Sequence, residues 1–442
     1  MASNNGCSMK PHVVCLPAPT QSHIGAMLKL AKLLHHQGLC ITYVNTEFNH
    51  RRLLEARGAS FLKALPAGFQ FMEIPDGLPP SKANATQSIV SLCESVKLYM
   101  GAPFCALIED LNERASSGSG FPPVSCIVAD GFMTFSAYPA SEKFGIPVVN
   151  LWTIPACALM GLLHYPKLKE KGLTPLKDAA ARFDKASATI IHTFEPLEVD
   201  VLSALSSMFS RTVYTIGPFQ LLINRILENG NHLKHMGCNL WKEDKECLKW
   251  LDSQKPESVL YINFGSIAFL TSQQLVEFAM GIANSKHPFL WIIRPDLVDG
   301  DTAVLPPEFT SETKGRAFIT EWCPQEEVLN HPSVGGFLTH CGWNSMIESL
   351  SAGVPTLCWP YFGDQQTICK YARSDWEIAL EIGSDVKQDE VEGLVKELME
   401  GEKGKQMKKR ATEWKRLAFI ATREEGSSTI NLGEIISDIM SK

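Results

Sequence analysis

The residues best suited to chemistry crowd into one stretch, Trp322 to Gln365, which reads WCPQEEVLNHPSVGGFLTHCGWNSMIESLSAGVPTLCWPYFGDQ. Val334 to Thr339 is a short apolar run bounded by glycines, the pattern of a buried parallel strand, and His340-Cys341-Gly342 follows where that strand would end. Asn344 to Ala352 reads as a helix. Glycine at the turn lets a ligand approach the backbone closely, and a helix beginning at Trp343-Asn344-Ser345 points free N–H groups and its positive dipole end back at the strand tip. That is a place for the phosphate of an anionic, nucleotide-like ligand. Glu348 lies one turn beyond Asn344 on the same helix face, where its carboxylate could accept from ribose hydroxyls, and Trp322 offers a flat surface for a base. A second apolar run, Pro355 to Pro360, leads into Gly363-Asp364-Gln365, where a carboxylate beside an amide suits the vicinal hydroxyls of a sugar.

Three more residues stand at predicted strand ends, each with two readings. His23 begins a predicted helix after the first strand, where open α/β sheets place ligands and catalytic groups; it is either a base facing a crevice or a histidine with no task. Asp130 closes the predicted strand Val124 to Ala129 and is either a helix cap or the partner that fixes a histidine tautomer and stabilises its imidazolium. Ser266 follows the predicted strand Ser258 to Phe264 and either binds a phosphate oxygen or caps the strand.

Positioning these groups takes two βα units of the same kind. In the N-terminal half, HVVCL (12–16) is a strand, Pro17 to Ser22 a loop, and His23 to Gln37 a helix with Met27, Leu30, Leu33 and Leu34 on its apolar face; Gly38 then precedes the strand Leu39 to Val44. Further strands are expected at Ile146 to Trp152, Ala186 to Phe194 and Val213 to Pro218, and a long helix from Gln87 to Asn112 interrupted at Gly101-Ala102-Pro103. After a polar stretch at Asn229 to Met236, the pattern resumes with strands at Ser258 to Phe264, Phe289 to Arg294 and Ala317 to Trp322. Charged amphipathic helices follow at Glu390 to Glu400 and Gly404 to Phe419, and Ser427 to Lys442 is the last helix.

Composition narrows the function classes. A chain of 442 residues is too long for one ordinary core, and 45% hydrophobic with 20% charged residues is globular composition. A net charge of −7 argues against a nucleic-acid partner, since phosphate contacts need a basic face. No run approaches the ~20 apolar residues of a membrane span and the start lacks a signal-peptide pattern, so a cytoplasmic location is expected. The 13 cysteines are scattered singly without a CxxC pair, which favours buried thiols over disulfides or zinc. A nicotinamide-dependent oxidoreductase would need GxGxxG after its first strand, and Pro17 to Ser22 contains no glycine.

Trp322 to Gln365 resembles the signature box of the plant family-1 UDP-dependent glycosyltransferases, which begins at a Trp, contains HCGWNS and ends in Asp/Glu-Gln. The resemblance covers nearly the full chain and implies the α/β GT-B fold, two Rossmann-like βαβ domains facing each other across a cleft. Residues 1–228 would bind acceptor, 229–240 link, 241–426 bind the UDP-sugar, and 427–442 return as a helix to the N-terminal domain. It implies donor contacts from Ser266, Trp322, Cys323, Gln325, His340, Gly342, Trp343, Asn344, Ser345, Glu348, Asp364 and Gln365. His23 in PAPTQSHI matches the family's catalytic base and Asp130 in CIVADGF its partner, although Ser22 stands where many members have Gly. The implied reaction is inverting transfer of glucose from UDP-glucose to a small lipophilic plant metabolite, a phenolic, flavonoid or terpenoid alcohol, by a monomer that needs no metal or other cofactor. KPHVVCLP, VNTEFNHRRLL and WPYFGDQQT resemble a clade acting on small alcohols, phenols and cyanohydrins, while some relatives attach the sugar to an aromatic carbon.

One departure concerns the acceptor side. Members usually carry several tens of residues between a segment like KGLTPLKD and one like KASATIIHTFE, whereas here Asp178 adjoins Ala179. Either an acceptor flap is missing or a mobile loop is absent from the sequence as read, and the second is the expectation. A genuine deletion would favour a reading of another class, a non-catalytic nucleotide-sugar binder.

Overall fold

Short, fully apolar strands alternating with amphipathic helices bury both strand faces by forming parallel sheets with helices on either side. The computed structural model describes residues 10–58, 60–80, 86–118, 121–164, 182, 185–227, 233, 236–237, 239–298 and 303–441. Its first sheet contains β1 (His12–Leu16), β2 (Cys40–Thr46), β3 (Phe69–Ile74), β4 (Val124–Asp130), β5 (Val148–Trp152), β6 (Ala188–Ile191) and β7 (Val213–Thr215), in the spatial order β3-β2-β1-β4-β5-β6-β7. The second contains β8 (Val259–Asn263), β9 (Phe289–Ile292), β10 (Ala317–Thr320), β11 (Val334–Thr339), β12 (Thr356–Cys358) and β13 (Ala379–Glu381), in the order β10-β9-β8-β11-β12-β13. All neighbours are parallel. In both sheets the chain starts in the middle, builds one edge, then crosses back. The switch points are β1/β4 and β8/β11, and a ligand crevice opens outside the carboxyl ends of strands at such points.

Each sheet carries an apolar core on both faces. On one face of the first, Met27, Leu30 and Leu34 of the Gln21–His36 helix pack with Phe219, Leu222, Leu432 and Ile435; on the other, Phe104, Ile108 and Ala137 pack over β1 and β4. The Ser427–Met440 helix therefore belongs to the first core although it ends the chain. Tyr214 donates to Asp438 at 2.8 Å, Ser428 to the Gly217 carbonyl at 2.6 Å and Asn431 to the Thr215 carbonyl at 2.9 Å.

Several element boundaries differ from the sequence reading. The helix that carries His23 begins at Gln21, two residues early, because Gln21 is fastened from outside: its Oε1 accepts from the Leu240 amide at 2.7 Å and its Nε2 donates to Asn239. The long N-terminal helix is two, Ile89–Leu98 and Gly101–Ser116, since Pro103 is tolerated only in a first turn. A helix at Phe219–Leu227 was not expected; Pro218 precedes it and its apolar side lies on the Gln21–His36 helix. Within the supposed linker, Leu233, Met236 and Leu240 are buried in the first core; residues 228–232, 234, 235 and 238 lie outside the described residues. Among the described residues no helix is long and apolar enough to cross a membrane.

Candidate active site between the two sheets

His23 sits in the first turn of the Gln21–His36 helix, just after β1, and Asp130 ends β4, the strand hydrogen-bonded to β1. Residues far apart in sequence therefore meet. His23 Nδ1 lies 2.7 Å from Asp130 Oδ2, and the acid is completely buried. Asp130 makes a contact with each oxygen: Oδ1 accepts from the Phe132 amide at 3.0 Å and caps the turn that follows, while Oδ2 lies against the imidazole. A carboxylate on Nδ1 leaves Nε2 as the basic nitrogen. Thr153 Oγ1, from the loop after β5, is 2.7 Å from the same Nδ1 and donates to Asp130 Oδ2 at 3.4 Å. Phe132 packs edge-on to the His23 ring at 5.5 Å. Burial alone would lower the His23 pKa, but the Asp130 charge and hydrogen bond, with a smaller contribution from Asp364, outweigh it and hold it above the usual imidazole value.

The second sheet presents a different histidine. His340 follows β11, and two glycines wrap its ring: a Cβ on Gly265 would fall 2.4 Å from His340 Cε1, and one on Gly342 2.5 Å from Nε2. Gly265 also has φ +72°, so the turn after β8 needs glycine twice over. Cys341, between His340 and Gly342, takes φ +66°, a conformation an L side chain adopts at a cost, which turns the backbone sharply into the Trp343–Ala352 helix. Gly342 is that helix's N-cap and supplies no side chain to its first N–H groups. Ser266 stands opposite, buried, beyond β8. Burial and the nearby Arg294 charge push the His340 pKa down to about 4, so its ring is a neutral hydrogen-bond donor at ordinary pH. Arg294 braces the cradle from below, donating to the Gly265 and Ala268 carbonyls and pairing with Asp296 at 3.0 Å.

The two halves touch through the predicted donor residues. Asn344 Nδ2 donates to the Ser22 carbonyl at 2.8 Å, joining the Trp343–Ala352 helix to the residue before His23. Asp364 is half-buried at the start of the Gln365–Ser374 helix without capping it, and burial raises its pKa to about 6 against the opposing charge of His23. Gln365 Oε1 accepts from the Tyr361 and Phe362 amides at 2.8 and 2.9 Å, which fixes the loop and leaves the amide nitrogen as the side chain's donor.

Residues 176–412 match the family described as UDP-glucoronosyl and UDP-glucosyl transferase. Over its whole length the chain is 49% identical to the 7-deoxyloganetin glucosyltransferase of Catharanthus roseus, covering 99% of that protein. The chain belongs to the plant family-1 UDP-glycosyltransferases. It is also 48% identical to the (R)-mandelonitrile beta-glucosyltransferase of Prunus dulcis, over 98% of this chain and 97% of that one. Among solved structures it is similar to Os79 of O. sativa in complex with UDP (TM-score 0.82, 24% identity, 97% and 100% covered). It is likewise similar to Phytolacca americana UGT2 complexed with UDP-2fluoro-glucose and pterostilbene (TM-score 0.78, 26% identity, 98% and 100% covered). These likenesses bear out the two-domain GT-B fold.

One departure noted above concerns this glycosyltransferase's N-terminal half. The join at Asp178–Ala179 lies outside the described residues. The sequence runs unbroken through it, and the alignment with the Catharanthus enzyme spans 487 positions against the 442 residues here, so that relative carries residues this chain lacks.

The other donor-box residues of the glycosyltransferase are already engaged. One face of Trp322 is stacked on Trp241 at 4.6 Å, with Arg52 above Trp241 at 4.3 Å, so a base has only the remaining face. The Trp343 ring is buried and its N–H donates to the His192 carbonyl at 2.6 Å, an interdomain tie rather than an exposed surface. Gln325 is a hub: Oε1 accepts from Tyr261 and Asn263, and Nε2 donates to Ser345 at 3.0 Å and to Glu348 at 2.8 Å. Cys323 is buried against the Tyr261 hydroxyl. The sulfurs of Cys341, Cys358 and Cys369 lie within 4.8 Å of one another, a convergence that sequence spacing did not foretell. Tyr261, Asn263, Arg294 and Lys29 were missed altogether, and Thr153 was read only as part of a loop, WTIPA, that resembles the family's loop beside the acceptor.

Proposed function

We propose that this glycosyltransferase moves glucose from UDP-glucose to a hydroxyl of a small lipophilic plant metabolite with inversion at the anomeric carbon. The observation that carries the reading is the His23–Asp130 pair, with its imidazole held above the usual pKa and within electrostatic reach of Asp364 at the end of the donor box. His23 Nε2 takes the acceptor proton, the acceptor oxygen forms the new bond to the anomeric carbon, and the bond to UDP breaks on the opposite face with its electron pair leaving on the diphosphate. Asp130 stabilises the imidazolium. The neutral His340, Ser266, Asn344, Ser345 and the N–H groups of the Trp343–Ala352 helix take up the charge that develops on UDP, which supplies the stabilisation a metal ion gives elsewhere. Asp364 and Gln365 hold the sugar hydroxyls. The acceptor class follows the relatives named for 7-deoxyloganetin and (R)-mandelonitrile, both small hydroxylated molecules, and the aromatic Phe132 beside His23 suits it.

The test is turnover of UDP-glucose with a panel of terpenoid alcohols, cyanohydrins and phenols, wild type beside His23→Ala, with UDP binding measured in both. Acid-labile glucosides that disappear in the variant while UDP still binds are the expected result. Acid-stable products would make carbon the nucleophile, and UDP-glucose binding without turnover on any acceptor would leave a nucleotide-sugar binder in place of an enzyme acting through His23.

A further inference from the structure

Lys29 lies on the Gln21–His36 helix, about two turns beyond His23. Its ammonium crosses to the second domain, where it is 3.2 Å from Glu348 Oε1 and in direct contact with Glu326. Glu348 is buried, and its other oxygen accepts from Gln325 Nε2 at 2.8 Å. No function assigned so far uses the lysine. We infer that Lys29 is a positioning residue for the nucleotide: it keeps the Glu348 carboxylate ready to accept from the ribose diol, and only when the two domains face each other as they do here.

Physical grounds support this. A carboxylate withdrawn from water keeps its charge only with a cation and hydrogen bonds around it. The groups facing Glu348 are Lys29 from the first domain, the Glu326 carboxylate, the Gln325 amide and, from β8, the Tyr261 hydroxyl. Lys29 is the cation of the set. Burial raises the Glu348 pKa, the Lys29 charge opposes that, and Glu326 adds to it. Without the ammonium the acid would take up a proton, and a carboxylic acid cannot accept from two vicinal hydroxyls as a carboxylate does. Because the same helix carries His23 in its first turn, the ion pair also sets where His23 stands relative to the nucleotide.

The inference rests on the UDP-sugar reading and is tested with UDP, 2′-deoxy-UDP and 3′-deoxy-UDP as calorimetric probes on the full chain from pH 6 to 8. Wild type should prefer UDP over the deoxy nucleotides by about tenfold, the scale of a hydrogen bond to a charged group. Lys29→Met should lose most of that preference: UDP weakens about tenfold, the deoxy nucleotides scarcely change, and UDP affinity recovers as rising pH ionises Glu348. Lys29→Arg should restore the preference. Lys29→Gln, which keeps a donor but not the charge, should behave like Lys29→Met and carries the test if the methionine variant does not fold. A Lys29→Met or Lys29→Gln protein that keeps the wild-type preference at every pH overturns the inference. Wild type that binds no UDP would instead overturn the proposed function.

Discussion

His23 and His340 stand at the switch points of two sheets whose strand order matches but for the extra edge strand β7, and their surroundings push them in opposite directions. Both rings are withdrawn from water. The first faces the Asp130 carboxylate and feels Asp364, so it is held above the ordinary imidazole pKa; the second faces Arg294 and is pushed down to about 4. Burial acts in the same direction on both, so the difference comes from the sign of the neighbouring charge. One is an imidazole with a carboxylate on Nδ1 and its basicity raised, the other a neutral ring pinned between Gly265 and Gly342.

That contrast can be broken at either end. Asp130→Asn should have the largest effect, a fall of about 10²- to 10⁴-fold in kcat/KM. As the proposed base, His23 must be neutral to act, so wild-type activity should fall as pH drops through its raised pKa; with the carboxylate gone burial prevails, and the acid limb of the residual activity should move to lower pH. An unmoved limb would mean that Asp130 does not set the ring's basicity. His340→Ala should instead weaken UDP about tenfold by calorimetry and leave the acid limb where it was, because that ring is already neutral above about pH 4. A displaced limb in this variant would erase the distinction between the two histidines. Gly265→Ala sharpens it further: the new methyl meets the His340 ring in a backbone at φ +72°, so a thermal shift corresponding to about 1–3 kcal/mol and looser UDP binding are expected with the pH profile intact. Full stability would show that the turn has room to spare. The smallest change is expected from removing divalent metal with a chelator, which should leave turnover within error; loss restored by magnesium would assign the diphosphate charge to an ion.

The donor half was legible because its residues are contiguous. Strand β11, the glycine turn and the Trp343–Ala352 helix follow one another, so pattern and turn chemistry alone placed His340, Gly342, Asn344 and Glu348 around one strand tip. The N-terminal half yielded His23 and Asp130 as strand-end residues with two readings each, and the choice between cap and histidine partner had no local answer because Asp130 makes both contacts, one with each oxygen. The helix Phe219–Leu227, the covered face of Trp322, the meeting of Cys341, Cys358 and Cys369, and the Lys29–Glu348 pair left no trace in any window of sequence. Each depends on elements packed from distant parts of the chain.

The sequence by itself determined the two parallel α/β sheets and the turn after β11, because periodicity, glycine and helix starts act over a few residues. Tertiary structure alone decided which histidine is basic, which oxygen of Asp130 holds it and which lysine holds Glu348. Desolvation and charge act through space, over distances that only the folded chain brings to a few ångströms.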